Sequence, residues 1–111
     1  MGTLTYNGWI VSFEDRLLTH LHLVIMQRLR NDRSFAMSWI NSVEDGSGRG
    51  SIWLHPSGDL AFRFIGSKFP TINPAWIATL TSSAESSQGL IVTGEDGELA
   101  RSESIRVLTR A

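Results

Sequence analysis

The stretch Glu14-Asp15-Arg16-Leu17-Leu18-Thr19-His20-Leu21-His22-Leu23-Val24-Ile25-Met26-Gln27-Arg28-Leu29-Arg30 decides how the rest of the chain is read. Leu17, Leu21, Val24, Ile25 and Leu29 recur at spacings of three and four, the apolar stripe of a helix lying on a core. Leu18 widens that stripe. Glu14 and Asp15 open the segment, and Arg28, Arg30 and Arg33 close it near Asp32, so charges at both ends complement the helix dipole. Leu23 and Met26 fall outside the stripe, toward the far side. Either the sheet and the C-terminal segment cover this helix widely, or it carries a second contact, most simply with another copy of the chain.

Outward from the helix the apolar period changes from that of a helix to that of a strand. Before it, Thr3 to Phe13 is rich in β-formers and reads as a first strand, with Asn7-Gly8 a bulge or kink. After it, Phe35, Met37 and Trp39 interleave with Ala36, Ser38 and Ile40. Ile52 and Leu54 interleave with Trp53 and His55, and Leu60, Phe62 and Phe64 with Ala61, Arg63 and Ile65. Short breaks rich in Gly, Ser and Asp separate these runs, which reads as an antiparallel meander.

Asn73-Pro74 then starts a second helix, with Asn73 as N-cap and Pro74 at the first helical position. Trp76, Ile77, Leu80 and Ala84 share one of its faces. A short strand over Leu90 to Thr93, a turn at Gly94-Glu95-Asp96-Gly97 and a last strand over Ser104 to Thr109 complete the chain. The expectation is an α+β fold of order β-α-β-β-β-α-β, with the long helix packed on one face of an antiparallel sheet. Residues 1–93 form the single domain, and residues 94–111 a short extension able to supply a hairpin strand.

Composition narrows the class of activity. At 111 residues, with four Trp and five Phe, one packed core is within reach and a second is not. The absence of Cys removes disulfides, thiol nucleophiles and Cys-ligated zinc, and fits the cytoplasm. The opening residues lack a basic region followed by an apolar run, and Leu21 to Met26 is far short of the roughly 20 residues that cross a bilayer. The expected protein is soluble, with no membrane contact. A net charge of −1 gives no global attraction to polyanions.

The segments Met1-Gly2-Thr3-Leu4-Thr5-Tyr6, Phe13-Glu14-Asp15-Arg16-Leu17-Leu18-Thr19-His20-Leu21 and Ser51-Ile52-Trp53-Leu54-His55-Pro56 resemble a family of small actinobacterial proteins of unknown function. The resemblance runs through Asn73-Pro74-Ala75-Trp76-Ile77 and covers roughly residues 1 to 92. Members of that family are often labelled ATP-dependent DNA ligases. Such ligases attack ATP with a lysine in a Lys-x-Asp-Gly setting. Here the two Asp-Gly sites read Val43-Glu44-Asp45-Gly46 and Gly94-Glu95-Asp96-Gly97, and the sole lysine lies in Lys68-Phe69-Pro70-Thr71. The label describes no chemistry that these residues supply.

Constellations for catalysis or metal binding are equally thin. His20 and His22 stand about 200° apart around a helix and cannot share an ion. His55 with Asp59 is either a base and its orienting carboxylate or an ordinary hairpin hydrogen bond. Gly46-Ser47-Gly48-Arg49-Gly50 follows one strand and opens another, whereas a phosphate-cradling loop must open a helix. No catalytic residue, metal or cofactor is expected.

A recognition surface is the better candidate. If Phe35, Met37, Trp39, Ile52, Leu54, Leu60, Phe62 and Phe64 pack beneath the long helix, the opposite face presents Ser38, Trp53, His55, Arg63 and Ile65. Tryptophan beside His and Arg combines contact area with hydrogen-bonding tips. The alternative is that the second helix covers this face and Trp53 packs on Trp76. Arg28, Arg30, Arg33 and Arg49 are candidate phosphate contacts, although the first three are also accounted for as dipole complements. The leading expectation is a non-enzymatic interaction domain that binds a protein partner or forms a homodimer through the helix or a sheet edge. The alternative is an accessory module for single-stranded or nicked nucleic acid, followed by a His55-based hydrolase.

Overall fold

The computed structural model describes residues 2–107. In chain order it comprises β1 (Gly2–Tyr6), β2 (Trp9–Phe13), α1 (Asp15–Arg30), β3 (Phe35–Ile40), β4 (Arg49–Leu54), β5 (Leu60–Arg63), α2 (Pro74–Glu85), β6 (Leu90–Ile91) and β7 (Ser104–Val107). The fold is α+β, with helices packed against sheet, as the alternation of periods predicts. The strands, however, form two sheets, β5-β1-β2-β7 and β4-β3-β6, where the sequence pattern suggested one.

The division starts at Asn7-Gly8. Both residues have positive φ, 49° and 92°, and Tyr6 pairs directly with Trp9. That is the two-residue hairpin turn whose twist matches its flanking strands, and Asn-Gly is its preferred sequence. The segment read as one kinked strand is therefore a hairpin. Its β1 then takes β5 as a second antiparallel neighbour, from Thr3↔Arg63 to Tyr6↔Leu60.

β5 is thus drawn away from β4, and the expected three-stranded meander keeps only its first pair. β3 and β4 align antiparallel from Phe35↔Leu54 to Ile40↔Arg49. β6 joins the other flank of β3 in parallel, through Met37↔Leu90 and Ser38↔Ile91. β7 lies antiparallel on β2, with Ser12 opposite Ser104. The expected last strand covers Ser104–Val107 here, and Leu108 and Thr109 lie outside the described residues.

Leu17, Leu18, Leu21, Val24 and Ile25 of α1 are buried. They join Leu4, Val11 and Phe13 of the first sheet and Phe35, Met37, Trp39 and Leu54 of the second in one apolar cluster. The cluster also takes in Trp76, Leu80 and Ala84 of α2, while Ile52, Leu60, Phe62 and Phe64 pack against its margin. The carboxylate of Asp15 accepts from the amides of Ile65 at 3.0 Å and Gly66 at 2.8 Å, pinning the segment after β5 to the start of α1. Asn73 caps α2 as expected, its Oδ1 accepting from the amides of Ala75 and Trp76. No helix among the described residues is long and apolar enough to cross a membrane.

Candidate functional site

The β3–β4 pair brings three of the sequence-proposed residues to one face. Strand alternation sends Trp39, Met37 and Leu54 into the core and turns Ser38, Arg49 and Trp53 outward. The hydroxyl of Ser38 donates to that of Ser51, its cross-strand partner, at 3.1 Å. A groove of about 590 Å³ crosses this face, lined by Ser38, Arg49 and Ser51 with Ile91 and Leu99.

Trp53 is 61% exposed. The second helix leaves it uncovered: Trp76 is buried, stacked on His20 with ring centroids 4.2 Å apart. Trp53 borders two further grooves. One, of about 520 Å³, runs along the β4 edge and has Tyr6, Asn7, Trp9 and Ile105 on its far bank. Trp9 is itself 44% exposed, so two tryptophans flank this groove. The other, of about 240 Å³, is lined by Arg28 and Arg33 together with Ser86 and Ser87.

The remaining proposed residues lie elsewhere. Arg63 sits on β5, in the other sheet, where it shares a groove with Thr3, Thr5 and Arg106. Its separation from Trp53 follows directly from the pairing of β5 with β1. His55 lies just past β4 in a tight turn. Its amide donates to the Tyr6 hydroxyl at 2.9 Å, and its Nδ1 accepts from the Ser57 amide at 3.0 Å. The Asp59 amide donates to Asn7 Oδ1, so Asp59 anchors the hairpin turn. Arg30 borders a separate apolar groove with Met26, Leu29 and Pro56.

The charge beside Trp53 is partly offset. Both helices end near Arg28 and Arg33, α1 at Asn31 and α2 at Ser86, and Glu85 lines the same groove. Each helix C-terminus carries roughly half a negative charge. Arg28 and Arg33 therefore answer two dipoles before any ligand.

Sequence reasoning missed a polar node at the start of α2. Arg16 donates to both carboxylate oxygens of Glu95, at 3.0 and 2.6 Å, and to the Thr71 carbonyl at 2.7 Å. Asn73 Nδ2 donates to the same carboxylate at 2.8 Å. The Arg16 hydrogen bonds, with that of Asn73, hold the Glu95 carboxyl down at about 2. The guanidinium also lies 5.9 Å from the Trp76 ring centroid.

His20 is fully buried behind this node, and both of its nitrogens are engaged. The Asn73 amide can only donate, so Nε2, 3.0 Å away, carries the lone pair. Nδ1 then bears the proton and donates to the Arg16 carbonyl at 2.8 Å. No short-range pattern signals this arrangement, because Arg16 and Glu95 are 79 residues apart. His22 points elsewhere, edge-on to Phe62 and Phe64, and burial holds it below the usual histidine value.

Among the described residues there is no group of three or more His, Cys, Asp or Glu side chains able to hold a metal ion. The face around Trp53 combines an exposed tryptophan, grooves on two of its sides, and hydroxyl, amide and guanidinium donors along them. No curated protein and no solved structure matches the chain. A family model does match, over residues 1–95, and by that match the chain belongs to the family described as Domain of unknown function (DUF7882).

Proposed function

We propose that this domain is a non-enzymatic interaction module, protein-binding or self-associating, whose contact surface is centred on Trp53. One observation carries the reading: a tryptophan held on a regular strand pair, 61% exposed, sits where two grooves meet. Single apolar side chains on a surface need no explanation. Two tryptophans bordering one groove, with arginine and serine alongside, have the composition of an interface centre. The reading sets the module in the cytoplasm of an actinobacterial cell, in keeping with a chain free of Cys.

A second reading, an accessory module for single-stranded or nicked nucleic acid, draws on the groove that Trp53 shares with Arg28 and Arg33. Arg28 Nε is shielded from solvent there and has no protein partner among the described residues. A base stacked on Trp53 would bring its phosphates toward these arginines. Binding through so few charges would weaken steeply with salt. The hydrolase reading has the least support, since His55 Nδ1 is occupied by the Ser57 amide.

Sedimentation velocity over a wide concentration range, paired with fluorescence anisotropy of labelled single-stranded and nicked duplex DNA at low and physiological salt, separates these readings. Concentration-dependent mass that Trp53→Ala abolishes supports self-association through this surface. Salt-sensitive DNA binding lost in both Trp53→Ala and Arg33→Ala transfers the assignment to nucleic acid. Association or binding that Trp53→Ala leaves unchanged refutes a Trp53-centred surface.

A further inference from the structure

We infer that the partner is an extended peptide taken up as an added strand on β4; the inference rests on the Trp53-centred reading and supplies its mode and the chemistry of its ligand. It follows from the hydrogen-bond parity of the β3–β4 ladder. The Asn41 amide donates to the Gly48 carbonyl at 2.7 Å, continuing the register in which Ile40 faces Arg49. Bonded and non-bonded pairs alternate in an antiparallel ladder. The bonded pairs are therefore Trp39 with Gly50, Met37 with Ile52 and Phe35 with Leu54.

Gly50, Ile52 and Leu54 direct their amides and carbonyls at β3. Those of Arg49, Ser51 and Trp53 point the other way, out of the sheet. Two bonds on the far side of β3 agree with this parity. The Val92 amide donates to the Ser38 carbonyl at 2.9 Å, and the Ile40 amide to the Ala100 carbonyl at 3.2 Å. Ser38 and Ile40, the partners of Ser51 and Arg49, thus turn their polar groups away from β4.

β4 is an outer strand of its sheet. Among the described residues no backbone hydrogen bond takes up the outward groups of Arg49, Ser51 or Trp53. The next outward amide, that of His55, is met by the Tyr6 hydroxyl on the opposite bank of the groove. Edges left open in folded proteins are ordinarily blunted by proline, a bulge, a charge or short length. β4 runs for six residues in unbroken register, with no proline and one charge, at its first position. The edge opens onto a groove of about 520 Å³, within the size range of ligand clefts.

The walls of that groove specify the peptide. Residues opposite one another in an antiparallel pair share a face, and antiparallel addition is the more stable sense. Reading the peptide from its N-terminus, the residue opposite Trp53 lies beside an indole and is apolar. The residue opposite Ser51 is Ser or Thr. The residue opposite Arg49, the charged side chain on this groove, is acidic. The two intervening residues face the bank formed by Tyr6, Trp9 and Ile105, and are apolar. The recognised segment is apolar–apolar–hydroxyl–apolar–acidic.

The test uses the ¹⁵N-labelled full chain and a peptide with blocked ends, valine–isoleucine–threonine–valine–glutamate. Its control is the same peptide N-methylated at the amides that would face β4. In the free protein the amides of Arg49, Ser51 and Trp53 should exchange fast with solvent, and those of Gly50, Ile52 and Leu54 slowly. Saturating peptide should slow the first three, and the N-methylated control should not.

Ser51→Pro deletes an outward amide without touching the ladder to β3, and should bind about tenfold more weakly than Ser51→Ala, which loses the hydroxyl and keeps the amide, a difference worth one net hydrogen bond. If Ser51→Pro fails to fold, the N-methylated peptide still decides. Absence of any shift at millimolar peptide overturns the proposal, as does slow exchange at the three amides in the free protein. Binding lost in Trp53→Ala that protects none of the three overturns strand addition and leaves the surface standing. Binding indifferent to both overturns the surface as well. Protection that rises with protein concentration alone assigns the edge to a second copy and overturns the peptide ligand.

Discussion

Replacing His20 with leucine isolates what the buried node at the start of α2 contributes. The side chains are of similar size, so little cavity is created, and the change removes chiefly polar contacts. The Arg16 carbonyl keeps its helical bond to the residue 20 amide. The Asn73 amide, by contrast, loses its acceptor at 3.0 Å in a site where the replaced side chain was fully buried. An orphaned buried donor costs about 1–3 kcal/mol, and loss of the stacked contact with Trp76 about 0.5–1.5 kcal/mol more. Part of this is recovered because leucine is more apolar. The expected destabilisation is about 1–4 kcal/mol, or roughly 4–16 °C in Tm at about 4 °C per kcal/mol for a chain of this size. Urea unfolding followed by tryptophan fluorescence gives the free energy, and exchange at the Asn73 amide gives its location. A loss below about 1 kcal/mol with the Asn73 amide still protected would mean that His20 does not hold it.

Two glycines separate backbone strain from steric clash. Gly8→Ala faces open space at φ 92° and should cost only the left-handed penalty, about 1–2 kcal/mol; Gly89→Ala, at φ 81° with the added Cβ driven into the Ala36 carbonyl oxygen, should cost about 3–4 kcal/mol by urea unfolding. Acid titration of stability tests the Arg16–Glu95 contact. A carboxyl held at about 2 when folded stabilises the fold above its ordinary 4.5 and loses that contribution as pH falls from there toward 2, so the urea midpoint of the wild type should drop through this window more steeply than that of Glu95→Gln. His22, held below 6.5 by burial, makes the fold lose stability as pH falls below that value, and His22→Leu should flatten that limb. Trp53→Ala should change stability by less than about 1 kcal/mol, whereas Trp76→Ala should cost about 3–5 kcal/mol, both by urea unfolding.

Much of the fold is legible one element at a time. The stripe Leu17, Leu21, Val24, Ile25 names the buried face of α1, because helical period and burial are two views of one geometry. Asn73-Pro74 marks the start of α2 because the cap and the fixed φ of proline act within a few residues. Alternation places Phe35, Met37, Trp39 and Leu54 inward. Alternation does not say which strand pairs with which. Long-range contacts such as Arg16 with Glu95 carry no local trace either, since each residue alone reads as an ordinary surface charge.

The Asn7-Gly8 turn and the open β4 edge have one cause. Tyr6-Asn7-Gly8-Trp9 carries the strongest short-range hairpin signal there is, yet read as a kink it leaves a single strand before α1. With a single strand there, β5 has no better neighbour than β4, and the meander closes over the β4 edge. Once Asn7 and Gly8 adopt positive φ, β1 gains a free flank, β5 pairs with it, and β4 is left with a partner on one side only. The same hairpin sets Tyr6, Asn7 and Trp9 across from that open edge, so the turn that frees β4 also builds the far wall of its groove. Gly8→Ala thereby becomes a test of function as well as stability. The left-handed penalty falls on the turn that positions Trp9, and peptide affinity should fall in step with it while the β3–β4 register is untouched. Undiminished affinity in a folded Gly8→Ala variant would show that the hairpin bank contributes nothing to recognition.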